Sequence, residues 1–295
     1  MIANSNYKDL SLEFWANVKL LNQRLGYTKR QTDKNGNFQF VVPTVNQIIE
    51  VFKEEGLNPS KLIEDGNLTS FGQKLIGYYK FRSNALITLV EPNLMNKDQA
   101  KELFYKMKKD YKPTCPLPLN KQTGEKKDHA FLTGMVNMII EKNKGNLPCD
   151  YEPMQLTALT ENKYPVRTLS RRVDGAFPSV IDPKAIWEIK EYYYTTTFGS
   201  RVADGVYETQ LDGWELWEAS ENLNRKVDHY LIIDDHFTWW TLGRSYLCRI
   251  IDLLHMGLVT EVLFGKEIIT RLPVIVKQWS TLTGYNDTVA IAAEE

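Results

Sequence analysis

Between Arg171 and Lys190 the chain reads RRVDGAFPSVIDPKAIWEIK, and its charged residues fall where two short strands would bring them together. Ile181-Asp182-Pro183 suits a reversal of direction, and an antiparallel hairpin centred on residue 181 sets Asp174 opposite Glu188. Strand alternation places Glu188 and Lys190 on one face and Trp187 and Ile189 on the other. Two carboxylates paired across a hairpin repel each other, and a divalent cation removes that conflict. Magnesium fits such a pair, because it takes one or two carboxylates and completes its shell with water and phosphate oxygens. The plain alternative is a surface hairpin with an ordinary Glu/Lys face. Acid-x-Lys triplets also occur at Asp110-Lys112, Glu125-Lys127, Glu161-Lys163 and Asp182-Lys184. Only Glu188-Ile189-Lys190 sits in an apolar strand-like run with an acid at hairpin distance before it.

The elements that must position these residues follow from periodicity and punctuation. Residues 8–25 carry apolar side chains at near-helical spacing, with Gly26 just beyond. Thr44 caps a helix holding Val45, Ile48, Ile49 and Phe52 that ends at Gly56, and Thr69-Ser70 starts another with Phe71, Leu75 and Tyr78. A further helix is predicted near 97–109. The stretch 113–127, with its prolines, glycine and lysines, reads as an irregular connection. A buried helix over 130–142 follows, then strands at 171–177, 185–197 and 229–234 with a helix over 206–223 between the last two. A helix near 243–256 and apolar segments at 259–264 and 273–279 complete the chain. This alternation predicts an α/β fold. The expected organisation is a mainly helical region over 1–112 that suits a DNA-binding module or merely a helical cap, a connecting loop over 113–128, and a domain over 129–295 that carries the carboxylate pair.

The stretch Asp174 with Glu188-Ile189-Lys190 resembles the PD-(D/E)xK nuclease superfamily, the fold of many restriction endonucleases, over roughly residues 129–234. It departs at Val173, where the family motif has proline. The resemblance implies a restriction-endonuclease-like mixed sheet flanked by helices, and a Mg2+-dependent endonuclease that cuts phosphodiester bonds of double-stranded DNA in a restriction or phage-defence setting. It assigns Asp174 and Glu188 as metal ligands, joined by the Ile189 carbonyl and by Glu141 on the preceding helix, with Lys190 orienting or activating the attacking water. It points to Arg201 and Gln210, in or beside the helix after the motif strand, as phosphate contacts. A homodimer, to cut both strands, and a companion DNA methyltransferase are the partners it admits.

Charge is uneven along the chain. Residues 1–150 hold 22 Lys and Arg against 16 Asp and Glu, and residues 151–295 hold 14 against 21. A basic half to grip a polyanion and an acidic half to gather carboxylates is the functional reading; scattered surface charge is the plain one. Lys121, Lys126 and Lys127 in the connection, with Arg171 and Arg172 beside the hairpin, are the expected DNA contacts. Asp234, Asp235 and His236 at a strand end, near His229, read either as metal ligands or as a helix cap. Tyr192-Tyr193-Tyr194 and Trp239-Trp240 read as base-stacking or, more simply, as packing.

Three widely spaced cysteines exclude a disulfide framework, and no apolar run reaches the length of a membrane span. A soluble, cytoplasmic protein without membrane contact is expected. The chain lacks the Gly-x-Ser-x-Gly, Walker, Gly-x-Gly-x-x-Gly and His-Glu-x-x-His signatures of serine hydrolases, P-loop NTPases, Rossmann oxidoreductases and zincins. The rival reading is a non-catalytic DNA-binding or regulatory protein with a helical reading domain and a C-terminal dimerisation domain.

Overall fold

A computed structural model describes residues 1–29, 32, 38–120, 128–194 and 199–282. Helix α1 (Leu12–Leu25) starts where the Ser11 hydroxyl accepts the Phe14 N–H and ends at Gly26, whose φ of 78° closes the C-terminus. In α2 (Val45–Glu54), Thr44 and Gln47 form a reciprocal capping box. A two-residue hairpin, β1 (Ile63–Glu64) and β2 (Asn67–Leu68), leads to α3 (Ser70–Ala85). Phe14, Val18 and Leu21 of α1 pack with Ile48 and Phe52 of α2 and Leu75 and Tyr78 of α3.

After a π-turn at Leu86–Val90, α4 (Lys97–Tyr111) and α5 (Phe131–Asn143) lie against each other. A side hairpin follows, β3 (Ala158–Glu161) and β4 (Tyr164–Thr168). The central sheet then runs β5 (Gly175–Phe177), β6 (Ala185–Glu191), β7 (Asp228–Asp234) and β8 (Glu261–Phe264), in that order across the sheet. β5 and β6 are antiparallel, whereas β6, β7 and β8 are parallel. Parallel neighbours need long crossovers, and these are α6 (Ser200–Leu223) and α7 (Arg244–His255). Helix α8 (Glu267–Leu282) closes the described chain.

Alternation along the strands builds three layers. Trp187, Ile189, Tyr230 and Ile232 face α5 and α8, while Leu231 and Ile233 face α7 and the first turns of α6. The chain is therefore mixed α/β, with a mixed sheet between helices. Among the described residues no helix is long and apolar enough to cross a membrane.

The expected boundary at 113–128 does not separate two cores. Met95, Ala100, Phe104 and Met107 share one core with α5, β6 and α8, so α4 belongs with the sheet. The first 89 residues are tied to the sheet layer as well. Arg82 on α3, 1% exposed, reaches both Asp252 oxygens on α7 at 2.9 and 3.0 Å, and Tyr78 donates to the same carboxylate.

Candidate active site

The β5–β6 ladder pairs Gly175 with Trp187, Ala176 with Ile186 and Phe177 with Ala185, and Asp174, one residue before β5, donates its backbone N–H to the Trp187 carbonyl at 3.2 Å. The sequence-derived register is the observed one. β5 is shorter than expected: Arg171–Val173 are not strand, because Arg171 turns into an ion-pair cluster and Val173 packs into a small core with Ile186 and Leu216. As a result, the edge of β6 is left without a strand partner at Ile189. The Ile189 N–H donates to Asp174 Oδ2 at 2.7 Å. A strand residue's N–H and C=O leave on the same side, so the Ile189 carbonyl also faces Asp174.

A cavity of about 340 Å³ opens at this edge, and Asp174, Ile189, Lys190, Glu191, Arg201 and Glu208 are among the residues around it. Glu188 lies behind the wall, fully buried. Its two oxygens meet Arg171 at 2.9 and 3.1 Å, and Oε2 is 3.1 Å from Lys190 Nζ. Lys190 Nζ donates to Glu208 at 2.8 Å, and Arg171 lies 2.7 Å from Asp212. Glu208 and Asp212 stand four residues apart on α6, which puts both on one helix face. Gly205, one turn earlier, lets α6 come close: a Cβ there would meet Lys190 Cδ and Cε at 3.3 Å.

These contacts set the protonation states. Burial opposes the charge on Glu188, but Lys190 and Arg171 outweigh it and hold that carboxyl below its ordinary value. Burial, then the neighbouring Glu188 charge, pushes Asp174 up to about 6. Burial likewise raises Asp212 and Glu191 to about 7. Burial works against the Lys190 ammonium, yet Glu188, Asp174 and Glu208 raise its pKa above the usual lysine range. Lys190 therefore remains a cation at neutral pH.

The oxygen donors a hard cation takes are Asp174 and the Ile189 peptide at the cavity, with Glu188 behind them. Glu188, Glu208 and Asp212 surround Arg171 and Lys190, and two buried oxygens, Glu188 Oε1 and Asp212 Oδ1, accept no hydrogen bond. The 2.9 Å approach of Arg171 to Glu188 Oε1 is an ion contact without hydrogen-bond alignment. Among the described residues no three His, Cys, Asp or Glu side chains form a ready metal cage. Two carboxylates and a carbonyl would leave an octahedral ion several of its waters.

Several expected site residues lie elsewhere. Glu141 is not at the cavity: its carboxylate is held by the Thr114 N–H and hydroxyl, eight residues beyond Thr133 and so about 12 Å further along α5. Arg171 is not a free DNA contact, because its guanidinium is engaged by Glu188, Asp212 and Glu208. Arg172 is exposed against Met154, Arg201 is exposed at the cavity, and Gln210 is half-buried on α6 away from it. Lys121, Lys126 and Lys127 lie outside the described residues. Asp234 is a structural hub that accepts the Met95 N–H and the Tyr193 hydroxyl, and Asp235 caps the next turn through the Thr238 N–H. Tyr193, Trp239 and Trp240 are core residues, whereas Tyr192 and Tyr194 border the cavity. The partners Glu208 and Asp212 were missed, although acids at 204, 208 and 212 mark one face of α6.

A stability measurement tests the metal assignment. A carboxyl raised in the folded state adds stability below its unfolded pKa and loses it as pH rises through the folded value. For Asp174 that loss falls around pH 6, where the ligand form appears. Magnesium is therefore expected to raise the melting temperature at pH 8 and to do so far less at pH 5. At 100 times its Kd the gain is about 2.7 kcal/mol, or roughly 2–4 °C per kcal/mol for a domain of this size. Equal shifts at both pH values would remove Asp174 from the ligand set.

A family model described as Domain of unknown function (DUF7687) matches residues 95–279. A second, described as Domain of unknown function (DUF7690), matches residues 1–89. No curated protein and no solved structure matches. The first model covers more than half of the chain, and the chain belongs to that family.

Proposed function

We propose that this DUF7687 protein is a magnesium-dependent endonuclease of restriction-endonuclease-like fold acting on double-stranded DNA. The observation that carries the reading is the Asp174 carboxylate on the Ile189 N–H at the cavity, beside Lys190, whose ammonium lies between Glu208 and the buried Glu188. The order of α5, β5, β6, α6 and β7 supports the fold assignment. A homodimer presenting two such sites to the two strands belongs to the same reading.

Asp174, Glu188 and the Ile189 carbonyl are the groups that would hold the ion. When bound, magnesium neutralises charge on the phosphoryl oxygens and makes water a better nucleophile at neutral pH. The chain's own contribution is positional and electrostatic. Lys190, fixed between Glu188 and Glu208 and protonated at neutral pH, donates to the attacking water and offsets negative charge building on the phosphate. Its raised pKa makes it a donor and not a general base.

Incubation of plasmid DNA with the purified protein, in magnesium or in chelator, tests the activity. Nicking or linearisation that requires magnesium is expected. DNA binding without any cleavage would favour the non-catalytic alternative.

Glu208 is a positioning residue in this scheme. Glu208→Gln removes the charge that holds Lys190 Nζ and is expected to lower kcat about 10- to 100-fold with little change in KM. Gly205→Ala, which crowds the Lys190 stem, is expected to act in the same direction. Steady-state kinetics matching the parent in both variants would show that α6 does not position Lys190.

A further inference from the structure

The cavity walls hold Glu152, Asp174, Glu191, Asp204 and Glu208 against Lys190 and Arg201, and Arg171 behind them is already engaged by carboxylates. A strand longer than one phosphate needs cations beyond these two. Helix α4 and its cap carry Lys97, Lys101, Lys106, Lys108, Lys109 and Lys112. At 100° per residue, Lys97, Lys101 and Lys108 fall within an arc of about 40°, and Lys112 continues it at the cap. Lys106 and Lys109 lie on another arc with Asp98, Glu102 and Asp110.

The first arc borders the cavity side of the helix. Lys97 Nζ stands 4.2 Å from the Tyr194 ring centre, and Tyr194 is a wall residue of the cavity. Lys101 lies 3.7 Å from Asp128, and Lys108 3.5 Å from His129 Nε2. The row thus starts at the cavity and runs about 22 Å along an axis fixed by the packing of Ala100, Phe104 and Met107. Helix stability accounts for lysines near the C-terminus, where the dipole favours cations, but works against Lys97 and Lys101 in the first turns.

We propose that Lys97, Lys101, Lys108 and Lys112 form the track that holds the phosphate backbone of the nucleic acid entering the cavity. The proposal rests on the nuclease reading for the direction of the strand, and its test does not need cleavage. Each phosphate neutralised contributes about −0.9 to the slope of log affinity against log salt.

The experiment measures fluorescence anisotropy of a labelled duplex with the full chain in chelator, across a salt series. Lys101→Gln with Lys108→Gln is expected to flatten the slope by up to about 1.8. The Lys106→Gln, Lys109→Gln pair removes the same net charge and is expected to leave the slope nearly unchanged. Equal effects of the two pairs, or none from the first, would overturn the track. If the first pair melts early, Lys97→Gln with Lys112→Gln, at the two ends of the row, decides: a flattened slope supports the track and the parent slope overturns it. Binding to phosphatidylserine vesicles without affinity for DNA would also overturn it. Absence of any magnesium-dependent cleavage, with the two pairs differing in salt slope as expected, would sink the nuclease reading without touching the track.

Discussion

Replacing Asp174 by asparagine is expected to lower magnesium-dependent cleavage by at least about 10²–10³-fold, the scale on which losing one preorganised charge-stabilising group acts. Asparagine keeps the shape and a carbonyl oxygen that can still accept the Ile189 N–H, so folding and DNA binding are expected to persist. The loss should come from the missing charge on the side of the cation. Glu188→Gln is expected to fall as far, and to unsettle Arg171 and Lys190, which share its carboxylate. Single-turnover rates with enzyme in excess separate chemistry from binding. Asp174→Asn at the parent rate would remove the carboxylate pair from the mechanism.

The largest stability effect is expected at Asp252. Its carboxylate is the counterion of Arg82, which is buried between α3 and α7, and it also accepts from Tyr78. Asp252→Ala leaves a buried guanidinium without a partner, which costs about 3–5 kcal/mol. Denaturant titration of the variant is the check, with Arg82→Met/Asp252→Leu as the companion that removes both charges and is expected to recover much of the loss. A cost under about 1 kcal/mol for Asp252→Ala would mean that residues 1–89 are not anchored to the sheet by this pair.

The pairing at the centre of the site was readable because three local signals agree. Ile181-Asp182-Pro183 marks the turn, AIWEI marks the strand, and the distance from 174 to 188 fixes the register. β7 and α5 were equally plain, since their apolar runs match their burial. Other features depend on packing that sequence spacing does not encode. Residues 204, 208 and 212 announce an acidic helix face, but not that Gly205 brings that face onto Lys190. The proline- and lysine-rich 113–127 segment looks like a domain boundary, yet Phe104 and Met107 before it pack on Phe131 and Met135 after it. Arg171 has the composition of a phosphate contact and is instead taken up by Glu188 and Asp212. Glu141 lies on the expected helix, but the helix runs away from the cavity and Thr114 takes its carboxylate.

In the proposed mechanism, Lys190 and a magnesium ion would act together on a phosphodiester at this edge of β6. Its most direct test is single-turnover cleavage of an end-labelled duplex by the parent and by Lys190→Ala, each in magnesium and in chelator, with magnesium binding followed by calorimetry in both proteins. Cleavage by the parent in magnesium alone is predicted, with a loss of about 10²–10³-fold in Lys190→Ala while magnesium still binds. Cleavage in chelator, or an undiminished rate in Lys190→Ala, would contradict the assignment.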